Sequence, residues 1–244
     1  MLPTPSTSHV NYDQIYEPAE DSYLLLDTLS SASESTFLKF RFPFTTPSPL
    51  VLEVGVGSGV VLAFATANAK HIFGRSDILA LGTDANEHAC RAAAHTVRGA
   101  ATEHTRSVKP AGIFGDCVVG DLATSLRQQN VDVLIFNPPY VPTETLPSLS
   151  SATQDKFEQD SHLLSLSYAG GHDGMETTNR LLADLPTVLS ERGVAYILLC
   201  NQNRPEVVIA GILARPGGWR AKIVGSSGKT GGWEKLCVIR IWRP

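Results

Sequence analysis

The chain has 244 residues, of which 43% are hydrophobic, and a formal net charge of −4 at pH 7. This length and composition suit one α/β domain whose core is large enough to be stable without disulfides or structural metals. We therefore predict that residues 1–244 form a single domain. The acidic balance argues against a surface built to bind nucleic acid phosphates, so protein is the favoured class of partner.

Cysteine usage and the first residues of the chain restrict its cellular context. The four cysteines, Cys90, Cys117, Cys200 and Cys237, occur singly, with no CxxC pair and no histidine at ligand spacing. This pattern predicts reduced thiols and neither a disulfide framework nor a zinc site. The opening MLPTPSTSHV lacks the basic and apolar regions of a signal peptide, and no run of about 18 apolar residues occurs. We expect no membrane span and a location in the cytosol or the nucleus.

Apolar runs rich in β-branched residues alternate with helix-length segments, which predicts a mostly parallel sheet flanked by helices. The predicted strands cover residues 50–54, 78–83, 113–119, 131–136, 194–200, 221–225 and 236–242. The predicted helices begin near residues 18, 58, 87, 176 and 205. Because the last two strands are joined by a glycine-rich turn, we expect a seven-stranded, Rossmann-like α/β sheet with helices on both faces and an antiparallel C-terminal hairpin.

The segment before the first strand, residues 1–49, is predicted to be an extension of a core formed by residues 50–244. Pro18 fits the first turn of a helix, where Glu20 and Asp21 lie at the end that the helix dipole favours for acids. The stretch 30–49 is polar and contains three prolines, so it is predicted to be a loop. One of its phenylalanines is expected to tether it to the core: Phe37, Phe40 or Phe42.

A glycine-rich turn follows the first strand in LEVGVGSGV, residues 52–60. Gly55 and Gly57 allow the backbone to approach a ligand closely, and the helix that follows directs its N–H groups into the same space. Glu53 lies at the strand end that faces the ligand crevice of an open α/β sheet. Val60 occupies the place where the dinucleotide fingerprint requires glycine or alanine, which disfavours a nicotinamide dehydrogenase. The alternative that this turn is only a tight strand-to-helix connection, with no ligand, remains open.

Two aspartates follow the next two strands. Asp84 ends the second strand, where its carboxylate could accept hydrogen bonds from two ribose hydroxyls. The alternative is that Asp84 caps the next helix, and both roles are compatible. Asp121 could accept a hydrogen bond from an adenine amino group, with Leu122 packed beside the ring, or it could simply be a turn residue after Gly120.

The most specific motif is NPPY, residues 137–140, directly after the buried strand VDVLIF. Pro138 and Pro139 fix φ and remove two N–H groups, which predicts a short rigid loop whose carbonyls are free to accept hydrogen bonds. Asn137 adds a side-chain carbonyl, and Tyr140 is predicted to lie flat against the substrate group or to exclude water. These acceptors suit a planar NH2 group, either a glutamine amide or an adenine amino group.

Four segments together closely resemble the HemK-like glutamine methyltransferases, specifically those that modify the eukaryotic class-one translation release factor. They are YEPAEDSYLLLD (16–27), LEVGVGSGV (52–60), LIFNPPYVPT (134–143) and AGGHDG (169–174). The resemblance covers nearly the whole chain. NPPY alone does not separate this family from adenine methyltransferases, whereas the first and last segments are more particular.

The resemblance implies a class I methyltransferase domain that uses S-adenosylmethionine. It implies cofactor contacts at the following positions: Ser22, Glu53, Gly55, Asp84, Asp121 and Leu122. It also implies that Asn137 anchors the acceptor amide. From the motifs themselves we add Gly57 and Asn137 to the predicted cofactor contacts. We likewise predict that Asn137, Pro138, Pro139 and Tyr140 bind the substrate, with Asn137, Pro138 and Tyr140 taking part in catalysis. Ser22 departs from the threonine of the family but keeps the hydroxyl. The implied substrate is the glutamine of the Gly-Gly-Gln loop of the release factor.

The resemblance also implies a small zinc-binding activator subunit that pairs with an edge of the sheet and forms a heterodimer. The third predicted strand carries Ile113, Phe114, Val118 and Val119, an apolar edge that invites aggregation if it is left bare. A partner strand would cover this edge. The alternative is that the loop 99–110 folds over it.

Several other residues carry weaker signals. His88 and His95 share a helix face but lack a carboxylate or cysteine partner, so we expect structural roles. His172 and Asp173 lie in the AGGHDG turn, where a substrate contact and a simple turn are both possible. The three tryptophans are predicted to pack the C-terminal hairpin against the sheet: Trp219, Trp233 and Trp242.

Three functions follow from these signals. The leading hypothesis is a protein glutamine N5-methyltransferase. The second is an adenine N6-methyltransferase acting on DNA or RNA, which would normally need a recognition domain or a basic groove to extract a base. The third is a cofactor-binding structural subunit without catalysis.

Overall fold

The computed structural model describes residues 2–106, 111–148, 155–228 and 235–244. The strands are β1 (Leu50–Val54), β2 (Leu79–Asp84), β3 (Ile113–Val119), β4 (Val131–Phe136), β5 (Leu189–Cys200), β6 (Arg220–Ser226) and β7 (Leu236–Trp242). The helices are α1 (Glu20–Ser30), α2 (Ala32–Arg41), α3 (Val60–Ala67), α4 (Ala69–Phe73), α5 (Glu87–Arg106), α6 (Lys156–Tyr168), α7 (Glu176–Val188) and α8 (Pro205–Leu213). Short 3₁₀ turns occur at His172–Gly174 and Asn201–Asn203.

The seven strands form one sheet in the order β3-β2-β1-β4-β5-β7-β6. Strands β1 to β5 pair in parallel, and β7 runs antiparallel to both of its neighbours, β5 and β6. The predicted fold class is therefore confirmed, including the antiparallel C-terminal pair. The strand order reverses between β1 and β4, and in open α/β sheets such a point opens the crevice in which ligands bind.

The core lies on both faces of the sheet. All six residues of β4 are buried, as expected for a strand covered on both sides. Alternate residues of β1 face opposite layers: Val51 packs with α1 to α4, whereas Leu52 packs with α7 and α8. Helices α1 and α2 share a core with the sheet. That residues 1–244 form a single domain stays a prediction.

The prediction of a loop over residues 30–49 is wrong, because α2 occupies residues 32–41. Ser31 caps this helix by accepting a hydrogen bond from the N–H of Glu34. Of the three candidate tethers, Phe42 is fully buried, Phe37 is partly buried against the core and Phe40 is 87% exposed. The serine and glutamate three residues apart are a helix-start signal that outweighs the polar composition of this stretch.

Other boundaries differ from the predictions. Pro18 precedes Ala19, the N-cap of α1, and so lies outside the helix. Helix α5 continues to Arg106, well past its predicted end at residue 97, so residues 99–106 do not form a loop over the edge of β3. Residues 107–110 lie outside the described chain. Strand β5 begins at Leu189, five residues before its predicted start.

Two of the three tryptophans lie where the sequence predicts. Trp219 is buried and packs in the core on the α7 and α8 side, and Trp242 packs against the opposite cluster. Trp233 lies outside the described residues. None of the described helices combines the length and apolar composition that a membrane span requires.

Candidate active site

A cavity of about 210 Å³ opens at the carboxyl ends of β1, β2 and β4. Its lining brings together most of the predicted site residues: Ser22, Glu53, Gly55, Gly57, Asp84, Asp121, Leu122, Asn137 and Pro139. Pro138 and Tyr140 are the predicted site residues absent from the described lining. The cavity therefore unites residues that are more than 110 positions apart in the sequence.

The glycine turn between β1 and α3 depends on backbone that only glycine adopts readily. Gly55, Gly57 and Gly59 have φ of 65°, 51° and 78°. Gly59 also lies against α5, where a Cβ atom would be 2.5 Å from the Cα of Ala93. The turn therefore needs glycine at position 59 both for its conformation and for packing, and it leaves Gly55 and Gly57 bordering the cavity.

Glu53 links the turn to the helix behind it. Its carboxylate accepts a hydrogen bond from the N–H of Leu62 at 2.7 Å, which satisfies one of the free donors in the first turn of α3. The side chain is only 3% exposed. Burial raises the pKa of Glu53 well above its usual value, the Leu62 N–H opposes that shift, and nearby Asp84 adds to it.

Asp84 lines the cavity in direct contact with the glycine turn. Its two carboxylate oxygens accept hydrogen bonds from the N–H groups of Gly57, at 3.0 Å, and Asn86, at 2.8 Å. Burial raises the pKa of Asp84, while these N–H groups lower it. The cap of α5 is supplied by Asn86, whose side chain accepts from the N–H of His88 at 2.9 Å. The alternative role of Asp84 as the helix cap is thus taken by Asn86.

Asp121 and Leu122 close the far side of the cavity. Leu122 is 8% exposed and has φ of 53°, an uncommon value for a residue with a Cβ. Asp121 pairs with Arg180 of α7, which also lines the cavity. The sequence does not predict Arg180, because no sequence pattern indicates that α7 and the turn after β3 meet in the folded structure.

Asn137 is anchored at one end and open at the other. Its Nδ2 donates to Oδ2 of Asp21 at 3.1 Å. Its Oδ1 is buried and has no hydrogen-bond partner in the described part of the chain. A buried carbonyl without a donor is costly, so this atom is suited to accept a hydrogen bond from an N–H group of a ligand.

The turn AGGHDG supports the NPPY loop from behind. A Cβ atom at Gly170 would collide with the carbonyl oxygen of Pro139, and one at Gly174 would collide with that of Tyr140. These two glycines therefore allow the two backbones to touch. His172 points away from this contact with 85% of its side chain exposed, and Asp173 pairs with Arg204.

Tyr140 is not among the residues that line the cavity. Its side chain is 8% exposed and belongs to the core cluster that contains α1 and α3. Its carbonyl oxygen accepts from Nδ2 of Asn203 at 3.2 Å. Pro138 is also buried. The expected roles of Pro138 and Tyr140 in catalysis and substrate binding remain predictions. The burial of these two residues directly supports a rigid loop.

The cavity is completed by two segments that the sequence did not mark as binding elements. Residues 14–16 of the N-terminal segment line it, and the carbonyl of Gln14 accepts from Nδ2 of Asn86 at 2.8 Å. Helix α6 contributes Leu163 and Leu166, and Asp160 of the same helix accepts from Nε2 of Gln14 at 2.8 Å. Tyr16 is the first residue of the YEPAED segment, which is the one sequence signal that could have indicated this role.

Strand β3 lies at the edge of the sheet, as predicted. Ile113, Val118 and Val119 are 58%, 43% and 54% exposed. An apolar edge strand of seven residues offers unpaired backbone groups to a partner strand. The edge is therefore open to pairing along the described part of the chain.

The mostly parallel sheet, with a glycine turn and a cavity at the carboxyl ends of its strands, defines the nucleotide-binding class of α/β proteins. The chain is 32% identical to the eRF1 methyltransferase catalytic subunit mtq2 of Schizosaccharomyces pombe, over 100% of this chain and 96% of that protein. It is 32% identical to Methyltransferase HEMK2 of Homo sapiens, over 84% of this chain and 82% of that protein. It is 29% identical to the putative protein N5-glutamine methyltransferase MJ0928 of Methanocaldococcus jannaschii, over 95% and 93%.

No protein-family model matches the chain. The full-length identity with these relatives nevertheless decides the classification. The chain belongs to the HemK-like family of S-adenosylmethionine-dependent methyltransferases.

Proposed function

We propose that the chain transfers a methyl group from S-adenosylmethionine to the side-chain amide nitrogen of a glutamine, N5, in the Gly-Gly-Gln motif of the eukaryotic class-one translation release factor. The observation that carries the proposal is the buried, unpartnered Oδ1 of Asn137 beside the rigid Pro-Pro loop. The relatives indicate the substrate: one is an eRF1 methyltransferase and another a putative protein N5-glutamine methyltransferase.

The cofactor fits the residues that line the cavity. S-adenosylmethionine supplies a methyl group on a positively charged sulfur. Asp84 would accept hydrogen bonds from the ribose hydroxyls, and Asp121 one from the adenine amino group, with Leu122 against the ring. The glycine turn and the hydroxyl of Ser22 would border the amino-acid end, and the buried carboxyl of Glu53 would hold it through hydrogen bonds.

The acceptor group needs orientation more than it needs a base. An amide nitrogen is a weak nucleophile because its lone pair is delocalised into the carbonyl. Asn137 Oδ1 and a backbone carbonyl of the NPPY loop would accept hydrogen bonds from its two N–H groups, which favours pyramidalisation and exposes the lone pair. Positioning of this kind supplies several kcal/mol of barrier reduction without a strong base.

The adenine alternative is not favoured. The same acceptors would hold an adenine amino group, but a net charge of −4 disfavours a basic groove of the kind that binds nucleic acid and extracts a base. The relatives from Schizosaccharomyces pombe and Methanocaldococcus jannaschii are named for eRF1 and for protein glutamine.

Substitution of Asn137 tests the proposal and separates it from a structural subunit without catalysis. We expect Asn137→Ala to lose nearly all methyl transfer to the release factor while S-adenosylmethionine binding, measured by calorimetry, is largely kept. Transfer at the wild-type rate would contradict the two-acceptor mechanism. Wild-type protein that binds the cofactor but methylates nothing would favour the structural subunit.

We also propose that the chain forms a heterodimer with a small zinc-binding activator subunit through the edge of β3, and that it works in the cytosol or the nucleus. The exposed side chains of Ile113, Val118 and Val119 support this partner surface. Val119→Lys should abolish co-purification with the activator, because a buried lysine at the new strand pair has no partner. Val207→Lys on α8, where the side chain is 64% exposed, is the matched control and should leave the complex intact.

A further inference from the structure

We propose that Asp21 is a positioning residue for the acceptor site: it sets which end of the Asn137 amide faces the substrate. The inference rests on the proposed function, because it concerns the group that would hold the acceptor nitrogen. It starts from the contact between two side chains 116 residues apart, Asn137 Nδ2 and Asp21 Oδ2, at 3.1 Å.

Asp21 is itself held in one orientation. It lies in the first turn of α1 and is 3% exposed. Its Oδ1 accepts from the N–H of Ser22 at 2.6 Å and from the Ser22 hydroxyl at 3.2 Å, which leaves Oδ2 for Asn137. Both carboxylate oxygens are therefore engaged, and the side chain cannot turn without breaking these bonds.

The carboxylate imposes a polarity on the amide. An asparagine side chain can rotate by half a turn with almost no change in shape, but this exchanges a donor for an acceptor. A carboxylate only accepts, so it requires the NH2 end of Asn137 on its side. Oδ1 must then point elsewhere, and it is the atom that is buried without a partner. The reversed amide would present N–H groups to the N–H groups of the acceptor.

Charge also favours this arrangement. A hydrogen bond from an amide to a buried carboxylate is stronger than one between neutral groups. This hydrogen bond restricts the motion of the Asn137 side chain, so its Oδ1 is preorganised before substrate binds. Ser22 donates a hydrogen bond to the Asp21 carboxylate and also lines the cavity. Consecutive residues of α1 thus supply the positioning residue for Asn137 and a proposed cofactor contact.

Asp21→Asn tests the inference with the smallest change in shape. The side chain at position 21 then carries one NH2 group. If its oxygen keeps the Ser22 N–H, its NH2 faces Asn137 and favours the reversed amide. We expect kcat for release-factor methylation to fall about 100-fold, the scale of removing one preorganised hydrogen-bonding group from a reacting centre. Cofactor affinity and the melting temperature should change little.

The reciprocal double variant gives a readout that a merely structural role would not move. Asn137→Asp alone places two carboxylates in contact and should also be nearly inactive. In Asp21→Asn combined with Asn137→Asp, the NH2 group at position 21 again has an acceptor, and the second oxygen at position 137 is again free for substrate. We expect kcat to recover about 10-fold over the Asp21→Asn variant, a coupling between neighbouring sites.

Glu20→Gln is the matched control. It removes a carboxylate from the same first turn of α1, but Glu20 is exposed, so activity should stay at the wild-type level. Undiminished activity of Asp21→Asn in a system where the wild type methylates glutamine would overturn this inference alone. Loss of activity in Asp21→Asn without any recovery in the double variant would also overturn it. A wild-type protein that does not methylate glutamine would overturn the proposed function as well.

Discussion

The carboxylate of Glu53 accepts a hydrogen bond from the N–H of Leu62 at 2.7 Å, so one buried acid joins the end of β1 to the first turn of α3. This places a group with a strongly raised pKa against the proposed cofactor site. Burying a carboxyl group is tolerated where it is neutral or hydrogen-bonded, and it costs free energy once it ionises.

We therefore expect Glu53→Gln to increase stability at alkaline pH. The folded pKa of Glu53 is raised, so its favourable contribution is present at low pH and is lost as pH rises through the folded pKa. The glutamine keeps an acceptor for Leu62 without the charge and should gain on the order of 1–3 kcal/mol at pH 8. Denaturant unfolding at pH 4 and pH 8 checks this. An equal gain at both values would contradict the pH dependence.

Asp84 gives the corresponding prediction for the cofactor. Asp84→Ala removes the proposed acceptor of two ribose hydroxyls and leaves the Gly57 N–H without its partner. We expect an approximately 100-fold weaker Kd for S-adenosylmethionine by calorimetry. Asp77, just before the other end of β2, is the control: its bond to Arg75 is structural. Asp77→Asn should lower stability while leaving the Kd unchanged, and an unchanged Kd in Asp84→Ala would remove the ribose role.

Two glycines near α5 should respond in opposite directions to the same substitution. Gly59→Ala meets both a φ of 78° and the backbone of Ala93, and should cost about 3 kcal/mol or more. Gly99, inside α5, has nothing within 4 Å of an added Cβ, so Gly99→Ala should stabilise by about 0.5–1 kcal/mol. Thermal unfolding of both variants checks the pair. A tolerated Gly59→Ala would mean that the turn adopts another backbone.

A buried ion pair ties the N-terminal helices to the sheet. Glu34 of α2 accepts from Arg240 of β7 at 2.6 Å and from the Tyr196 hydroxyl at 2.9 Å. Glu34→Ala leaves the buried guanidinium without its carboxylate and should cost about 3–5 kcal/mol. Arg91→Ala breaks an exposed pair and should cost less than about 1 kcal/mol. Equal, small losses would show that α2 does not depend on this pair.

The parts of the fold that sequence predicts well are those with one dominant local cause. β4 is apolar at five of its six positions and is ended by two prolines, so its bounds match the prediction. Helix α2 was missed because its polar composition hides a cap at Ser31 and a single buried face. The length of α5 was underestimated because Gly99 and the polar residues after it read as a linker, although that stretch stays helical.

The candidate site divides in the same way. The glycines, the aspartates and the NPPY motif can be predicted because their residue types occur at strand ends. Most of them line the cavity. Asp21 and Arg180 could not be found by this reasoning, because their roles come from contacts across 116 and 59 residues of chain. Tyr140 was predicted to lie against the substrate or to exclude water. In the structure its side chain packs in the core, and its backbone carbonyl lies close to Gly174.

The most direct test is to locate the transferred methyl group. The chain, together with the proposed zinc-binding activator, is incubated with labelled S-adenosylmethionine in the presence of both the release factor and adenine-containing oligonucleotides. Mass spectrometry of peptides and nucleosides then identifies the modified atom. We predict label on the glutamine N5 of the Gly-Gly-Gln motif and none after Asn137→Ala. Label on adenine alone would contradict the account.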